Sequence, residues 1–150
     1  MKEIVRITPF LHVPDMARAL DHLTRVLRFE IKFSMSGYTH LEWGGAALRV
    51  LEEPGLRPAP PDAARMSVYI DVRDVDALYR ELLPSLATLP EGHVRAPIDQ
   101  PWNQREFHVR LPDGHWLAYG HTIAPRHDPW PEDAARPADT LEDPDEDLED

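Results

Sequence analysis

The sequence contains no cysteine. This absence excludes a disulfide-stabilised scaffold, a thiolate zinc site and a cysteine nucleophile. No apolar run approaches the roughly 18–20 residues of a transmembrane helix, and the first ten residues lack the apolar core of a signal peptide. We therefore expect a cytoplasmic protein with no membrane partner. The 150 residues suffice for one domain with its own hydrophobic core.

Basic residues are outnumbered by acidic ones, which gives a formal net charge of −11. Residues 132–150 contain ten acidic residues and one basic residue (net −9), whereas residues 1–131 contain 17 acidic and 15 basic residues (net −2). The negative charge is therefore concentrated in a proline-containing tail, residues 127–150, that we predict to be mobile apart from an anchor at Trp130. Nucleic-acid binding is disfavoured, because it requires a net basic surface.

Two halves of the remaining chain resemble each other. Residues 8–16 align with residues 67–75 at an offset of 59, and each stretch leads into apolar residues at helical spacing. Asp15 and Asp74 fit as helix N-caps, and Pro84 predicts a stop or kink in the second helix. Three strands are predicted after each helix: residues 30–34, 38–43 and 47–52, then 93–96, 106–111 and 116–121.

The predicted fold is α+β, with two tandem βαβββ modules that form a sheet-lined groove. We place the modules at about residues 4–53 and 66–122, within a domain of residues 1–126. A proline-rich linker, residues 54–65, connects them.

Four stretches carry a resemblance to a known family: VPDM, LRFE, VRDVDALYREL and PWNQREFHVRLPDGHWLAYG. Together they resemble the glyoxalase/bleomycin-resistance/dioxygenase superfamily, also called vicinal oxygen chelate proteins. The run QPWNQREF followed by PDGHW is similar to the bleomycin-resistance branch. Arg28 and Asn103-Gln104 stand where that branch has glycine, and Leu111 stands where it has aspartate. The resemblance implies a homodimer with grooves across the subunit interface, and an N-terminal arm near Pro9 that subunits exchange.

Many members of this superfamily hold a divalent ion with histidine and glutamate side chains. The resemblance places the ligand positions at Thr8, Ser67 and Ala118, with a fourth near Arg49. None of these side chains is an imidazole or a carboxylate, so we predict no metal, no cofactor and no catalytic residue. The eight histidines form no HxH or HxxxH pair, and those on strands predicted to face the groove are His12, His40 and His108.

Aromatic residues near the predicted groove are the stronger feature. Strand alternation places Tyr69 and Asp71 on the groove side with Ser67, and Trp116 on the same side as Ala118. Stacking on such rings, with nearby carboxylates, suits a planar cation. Core or interface packing is the alternative for the tryptophans, and a surface ion pair for Asp71. The predicted ligand-binding residues are Phe33, Trp43, Tyr69, Asp71, Trp102, Glu106 and Trp116.

These observations leave three functions open. The first is a binding protein that sequesters an antibiotic of the bleomycin type, or a similar flat cation, without converting it. The second is a metal-dependent lyase, isomerase, dioxygenase or thiol transferase, with replacement ligands such as His12, His108 or Glu42. The third is an interaction module that uses the acidic tail. Metal analysis of the purified protein separates the first two.

Overall fold

The computed structural model describes residues 2–57 and 59–123, and the predicted tail with Trp130 lies outside them. The elements in chain order are β1 (Phe10–Val13), α1 (Met16–Asp21), a π-helical turn (His22–Val26), β2 (Glu30–Met35), β3 (Tyr38–Trp43), β4 (Ala46–Glu52), β5 (Ser67–Asp71), α2 (Val75–Leu86), β6 (Val94–Asp99), β7 (Gln104–Arg110) and β8 (Trp116–Thr122). None of the helices in these ranges is long and apolar enough to cross a membrane.

The two halves form sheets of the same topology. The strand orders are β1-β4-β3-β2 and β5-β8-β7-β6, and the first strand of each module pairs in parallel with the last. The other pairs are antiparallel. This confirms the predicted α+β fold of two tandem βαβββ modules. Because β1 and β5 each pair on one side only, both are edge strands of their sheets.

Both helices begin where the aspartates predict. The Asp15 carboxylate accepts a hydrogen bond from the Arg18 amide at 3.1 Å, and Asp74 accepts one from the Ala77 amide at 3.0 Å. Each bond satisfies an amide that the first helical turn leaves without a partner. For Pro84 the sequence predicted a stop or a kink in the second helix. The stop is wrong, because the helix continues to Leu86. Pro84 is exposed in the last turn, where its missing N–H deletes one intrahelical hydrogen bond.

Two residues that replace glycines of the resembling branch adopt left-handed backbone conformations. Arg28 and Asn103 both have φ of 61°, a conformation that glycine adopts without steric cost. Asparagine tolerates it better than most residues. Arg28 also joins the modules, because its guanidinium donates to the Glu81 carboxylate at 2.7 Å and to the Glu81 carbonyl oxygen at 3.1 Å.

One hydrophobic core extends through both modules. In the second module, the rings of Phe107 and Tyr119 stack at 4.7 Å between centroids. The Trp43 ring of the first module lies 6.5 Å from the Tyr119 ring and 5.8 Å from the Phe29 ring, so it contacts the cores of both modules. The core therefore fills much of the space between the helices and the sheets, but Val68, Ile70 and Leu78, beside α2, still line a groove along β5.

Candidate functional site

The second sheet presents one face to α2 and the other away from it. Alternation along the strands places buried Phe107, Leu117 and Tyr119 on the helical side. We call the opposite side the open face. The register aligns its residues in three rows across β5, β8, β7 and β6: Asp71-Gly120-Glu106-Ile98, Tyr69-Ala118-His108-Arg95 and Ser67-Trp116-Arg110.

The Tyr69 ring leans out of its own row and lies over Gly120. A β-carbon built on Gly120 would lie 1.8 Å from the Tyr69 hydroxyl oxygen and 2.6 Å from Cζ. Only a glycine therefore permits this placement. The hydroxyl donates to Gln104 Oε1 on β7 at 3.2 Å, so the side chain reaches across β8. The ring remains 43% exposed and offers a surface for stacking.

Glu106 lies at the centre of the polar contacts on this face, although it is only 3% exposed. Its Oε2 accepts a hydrogen bond from the Trp102 indole nitrogen at 2.9 Å, and its Oε1 lies 3.0 Å from His108 Nε2. Burial raises the pKa of Tyr69, and the nearby Glu106 carboxylate raises it further. The Tyr69 hydroxyl therefore stays protonated and remains a donor at neutral pH.

Trp102 occupies the turn between β6 and β7, with 53% of its surface exposed. The bond to Glu106 holds the indole nitrogen against the sheet while much of the ring surface faces solvent. The structure thus brings together three of the predicted site residues, Tyr69, Trp102 and Glu106. Asp71 follows on the same face, two positions beyond Tyr69, at about 6–7 Å along the strand.

Trp116 lies at the other end of the open face, in a different environment. The Arg95 guanidinium carbon lies 4.3 Å from the centroid of the Trp116 ring, so a cation of the protein already covers one face of that indole. Both residues line a pocket of about 340 Å³ together with Ser67, His108 and Ala118.

Phe33 and Trp43 lie away from the open face. Phe33, 55% exposed, belongs to the first sheet, where its ring lies 6.1 Å from Tyr38, which in turn lies 6.0 Å from Phe10. Trp43 lines a groove of about 1160 Å³ between the modules, along the edge of β5, which Tyr69 and Asp71 also line. The seven predicted residues therefore occupy both sheets and the groove between them rather than a single cavity.

The positions that would hold a metal do not fit one. Ser67 and Ala118 both line the 340 Å³ pocket, but they offer one hydroxyl and one methyl group, and Arg95 adds a positive charge. Thr8, half-buried just before β1, offers only another hydroxyl. Within residues 2–57 and 59–123, no three histidine, aspartate or glutamate side chains are grouped so that they could bind a metal ion.

The fold and these motifs agree with a family model. The model of the glyoxalase/bleomycin resistance protein/dioxygenase superfamily matches residues 4–119. The chain belongs to this superfamily. A comparison with curated protein sequences gives no match.

Several solved structures of the superfamily are similar to this chain. A bleomycin resistance determinant encoded on the transposon Tn5 is 25% identical, with a TM-score of 0.65 over 81% of this chain and all of the other (100%). The bleomycin-binding protein of Streptomyces verticillus, solved with copper(II)-bleomycin, is 22% identical (TM-score 0.65; 83% and 99% of the two chains). Lactoylglutathione lyase of Agrobacterium tumefaciens is 16% identical (TM-score 0.59; 80% and 96%). The last two similarities show the fold alone.

Sequence reasoning missed two parts of these surfaces. Phe10 and Tyr38 extend the aromatic row of Phe33, and the alternation of Phe10 with buried Leu11 and Val13 could have revealed the first of them. The contact of Arg95 was not predicted, because the sequence gives no sign that this side chain lies over a tryptophan. His108 does lie on the open face, as its strand position predicted.

Proposed function

We propose that this superfamily member binds a flat, cationic small molecule of the bleomycin type and sequesters it in the cytoplasm without converting it. The observation that carries the proposal is the buried Glu106 carboxylate, which lies between two exposed aromatic rings, Tyr69 and Trp102. A planar cation could stack on the rings and place its positive charge near this carboxylate and Asp71. The likeness to the Tn5-encoded determinant supports the same class of ligand.

Titration of the protein with bleomycin in an isothermal titration calorimeter tests this proposal. We expect saturable binding that weakens modestly as salt concentration rises, because salt screens the exposed Asp71 carboxylate but has much less effect on buried Glu106. A planar cation without the bleomycin scaffold should also bind, whereas a neutral analogue of that cation should bind more weakly. Equal binding of the cation and its neutral analogue would contradict the assigned role of the carboxylates.

Replacement of Trp102 separates stacking from hydrogen bonding. Trp102→Ala should weaken bleomycin binding by about 1–3 kcal/mol, since a half-exposed aromatic anchor loses its contact area. Trp102→Phe keeps a ring but deletes the hydrogen bond to Glu106, so this variant should lose less affinity for bleomycin than Trp102→Ala. Leu83→Ala, which shortens an exposed side chain on α2, serves as the control. Calorimetry and circular dichroism of each variant check affinity and fold, and unchanged affinity in Trp102→Ala would remove this residue from the site.

We also propose that the protein is a homodimer in which the N-terminal arm of each copy, residues 2–9, binds the other copy. Ile4, Val5 and Ile7 of the arm are 87–97% exposed, although burying each of them would contribute about 1.5–3 kcal/mol. The groove along β5 is the matching surface. Its edge strand has unpaired backbone groups, and Val68, Ile70 and Leu78 line it.

The charges of the arm and of the groove also favour binding of the arm of one copy in the groove of the other. The arm contains Lys2 and Arg6. The groove is lined by Asp71, Asp74 and Glu81, against Arg73 and the chain's own Arg6, whose guanidinium pairs with Glu42 at 3.2 Å, so the lining keeps an excess of one negative charge. A second copy of the chain is therefore a better occupant of the groove than an acidic segment would be. Main-chain bonds to β5 would add to the affinity of the arm.

Serine substitutions in the arm test the dimer. The triple variant Ile4→Ser, Val5→Ser, Ile7→Ser should shift the mass in sedimentation equilibrium from twice 17.2 kDa toward 17.2 kDa. Leu83→Ser, which removes an exposed aliphatic side chain outside the groove, should leave the mass unchanged. A wild-type chain that sediments as a monomer, or a triple variant that stays dimeric, would contradict the proposed arm exchange.

A further inference from the structure

The 340 Å³ pocket on the open face has a chemical character that the proposed function does not use. Ser67, Ala118 and His108 contribute to its lining from three adjacent strands. The pocket exists because the Tyr69 ring leans toward Gly120, away from Ala118 in its own row, where the small methyl group leaves space. Residues 61–64 of the linker complete the lining.

This pocket differs from the Glu106 end of the open face because the charged group next to its floor is a cation, Arg95. Arg95 lies over the Trp116 ring, and stacking of this kind leaves the edge of a guanidinium available for hydrogen bonds. The contact that fixes the Arg95 guanidinium here is therefore with a neutral ring rather than with a carboxylate. Ser67 adds a hydroxyl donor, and the imidazole of His108 lies between the pocket and Glu106.

We infer that this pocket binds the carboxylate group of a small molecule. A planar carboxylate matches the donor edge of a guanidinium, and the indole fixes the orientation of that edge before a ligand arrives. The apolar surface of Trp116 and Ala118 would contact the carbon skeleton of the ligand. The acidic group that also lines the pocket is Asp62 of the linker, which is exposed and would weaken the binding of an anion.

The pocket lies at positions where metal ligands would be expected from the superfamily resemblance. Ser67 and Ala118 are the positions at which the superfamily resemblance places metal ligands, and neither has a metal-binding group. The Arg95 guanidinium places a positive charge in this pocket. Asp71 and Glu106 lie one or two rows away, so the open face is negative at one end and positive at the other.

Nuclear magnetic resonance titration of the full chain with benzoate tests the inference. The indole N–H signal of Trp116 and the Nε–H signal of Arg95 should shift saturably with benzoate, and much less with neutral benzamide. Arg95→Gln should weaken benzoate binding about tenfold or more, because a charge-assisted bond is lost. Asp62→Asn should tighten binding, since it removes the opposing charge. Arg80→Gln, at an exposed arginine of α2, should leave affinity unchanged.

A second probe distinguishes this pocket from the cation site. Benzylammonium should shift the Trp102 indole signal and leave that of Trp116 nearly unchanged. The carboxylate site is contradicted if benzoate and benzamide shift Trp116 equally, if benzoate gives no saturable shift, or if Arg95→Gln binds benzoate as well as the wild type. A failure of benzylammonium alone would count against the proposed cation site and not against this pocket.

Discussion

Glu106→Gln should lower the affinity for bleomycin by about 10–100-fold while the fold becomes no less stable. The charge-assisted interaction with a cationic ligand contributes about 1.5–3 kcal/mol, and an amide cannot replace it. In the free protein, the carboxylate is 3% exposed, and the side chains that contact it are the Trp102 indole and the His108 imidazole rather than a lysine or arginine of the described residues. Removing a buried charge in that setting avoids a desolvation penalty, while the oxygen of the new amide would still accept the hydrogen bond from the Trp102 indole.

Weaker binding together with unchanged or higher stability identifies a group that binds the ligand and does not stabilise the fold. Calorimetric titration measures the first quantity, and urea unfolding measures the second. Glu91→Gln, at an exposed turn residue, provides a matched loss of one negative charge outside the face. If Glu106→Gln lowers stability and affinity together, the carboxylate has a structural role. If affinity is unchanged, Glu106 does not contact the ligand.

Acidification from about pH 7.5 to about pH 4.5 should reduce the free energy of unfolding, largely through His22. This side chain is 6% exposed, and neither ring nitrogen has a hydrogen-bond partner among the described residues. Burial lowers the pKa of His22 to about 4, and His93 and Arg25 lower it further, against the opposing effects of Asp113 and Asp21. The imidazole is therefore neutral in the folded protein at neutral pH.

The direction of the effect follows from proton binding. The pKa of His22 is about 6.5 in the unfolded chain and lower in the folded protein. At a pH between these two values the unfolded chain binds more protons than the folded protein, so the free energy of unfolding falls as the pH falls. The full loss is of order 3 kcal/mol. His22→Phe, which fills the same site with an apolar ring, should remove most of this acid sensitivity in urea unfolding at the two pH values. An equal acid-induced loss in the variant would assign the sensitivity to other groups.

Much of the fold could be predicted because it depends on local signals. Alternation of apolar residues placed Tyr69 and Asp71 opposite Val68 and Ile70, and the structure confirms this division. The duplicated helix starts at Asp15 and Asp74 are equally local, because an N-cap is read from a few neighbouring residues. The π-helical turn after α1 was not predicted, since its apolar spacing is close to that of an α-helix.

The arrangement of the site depends on contacts between distant strands, which local patterns do not encode. The lean of Tyr69 is possible because a glycine occurs on β8, 51 positions later. The Arg95 contact with Trp116 depends on the register of three strands and on a bulge in β6. The separation of Phe33 from Tyr69 likewise follows from the packing of the two modules, not from strand alternation, and the same packing places Trp43 in the groove that Tyr69 also lines.

Equilibrium dialysis of the metal-free protein against bleomycin, with mass spectrometry of both chambers, tests the central claim most directly. Sequestration predicts that bleomycin accumulates in the protein chamber in proportion to the protein and is recovered there with its mass unchanged. Equal concentrations in the two chambers, or recovery of a chemically altered compound, would contradict the account.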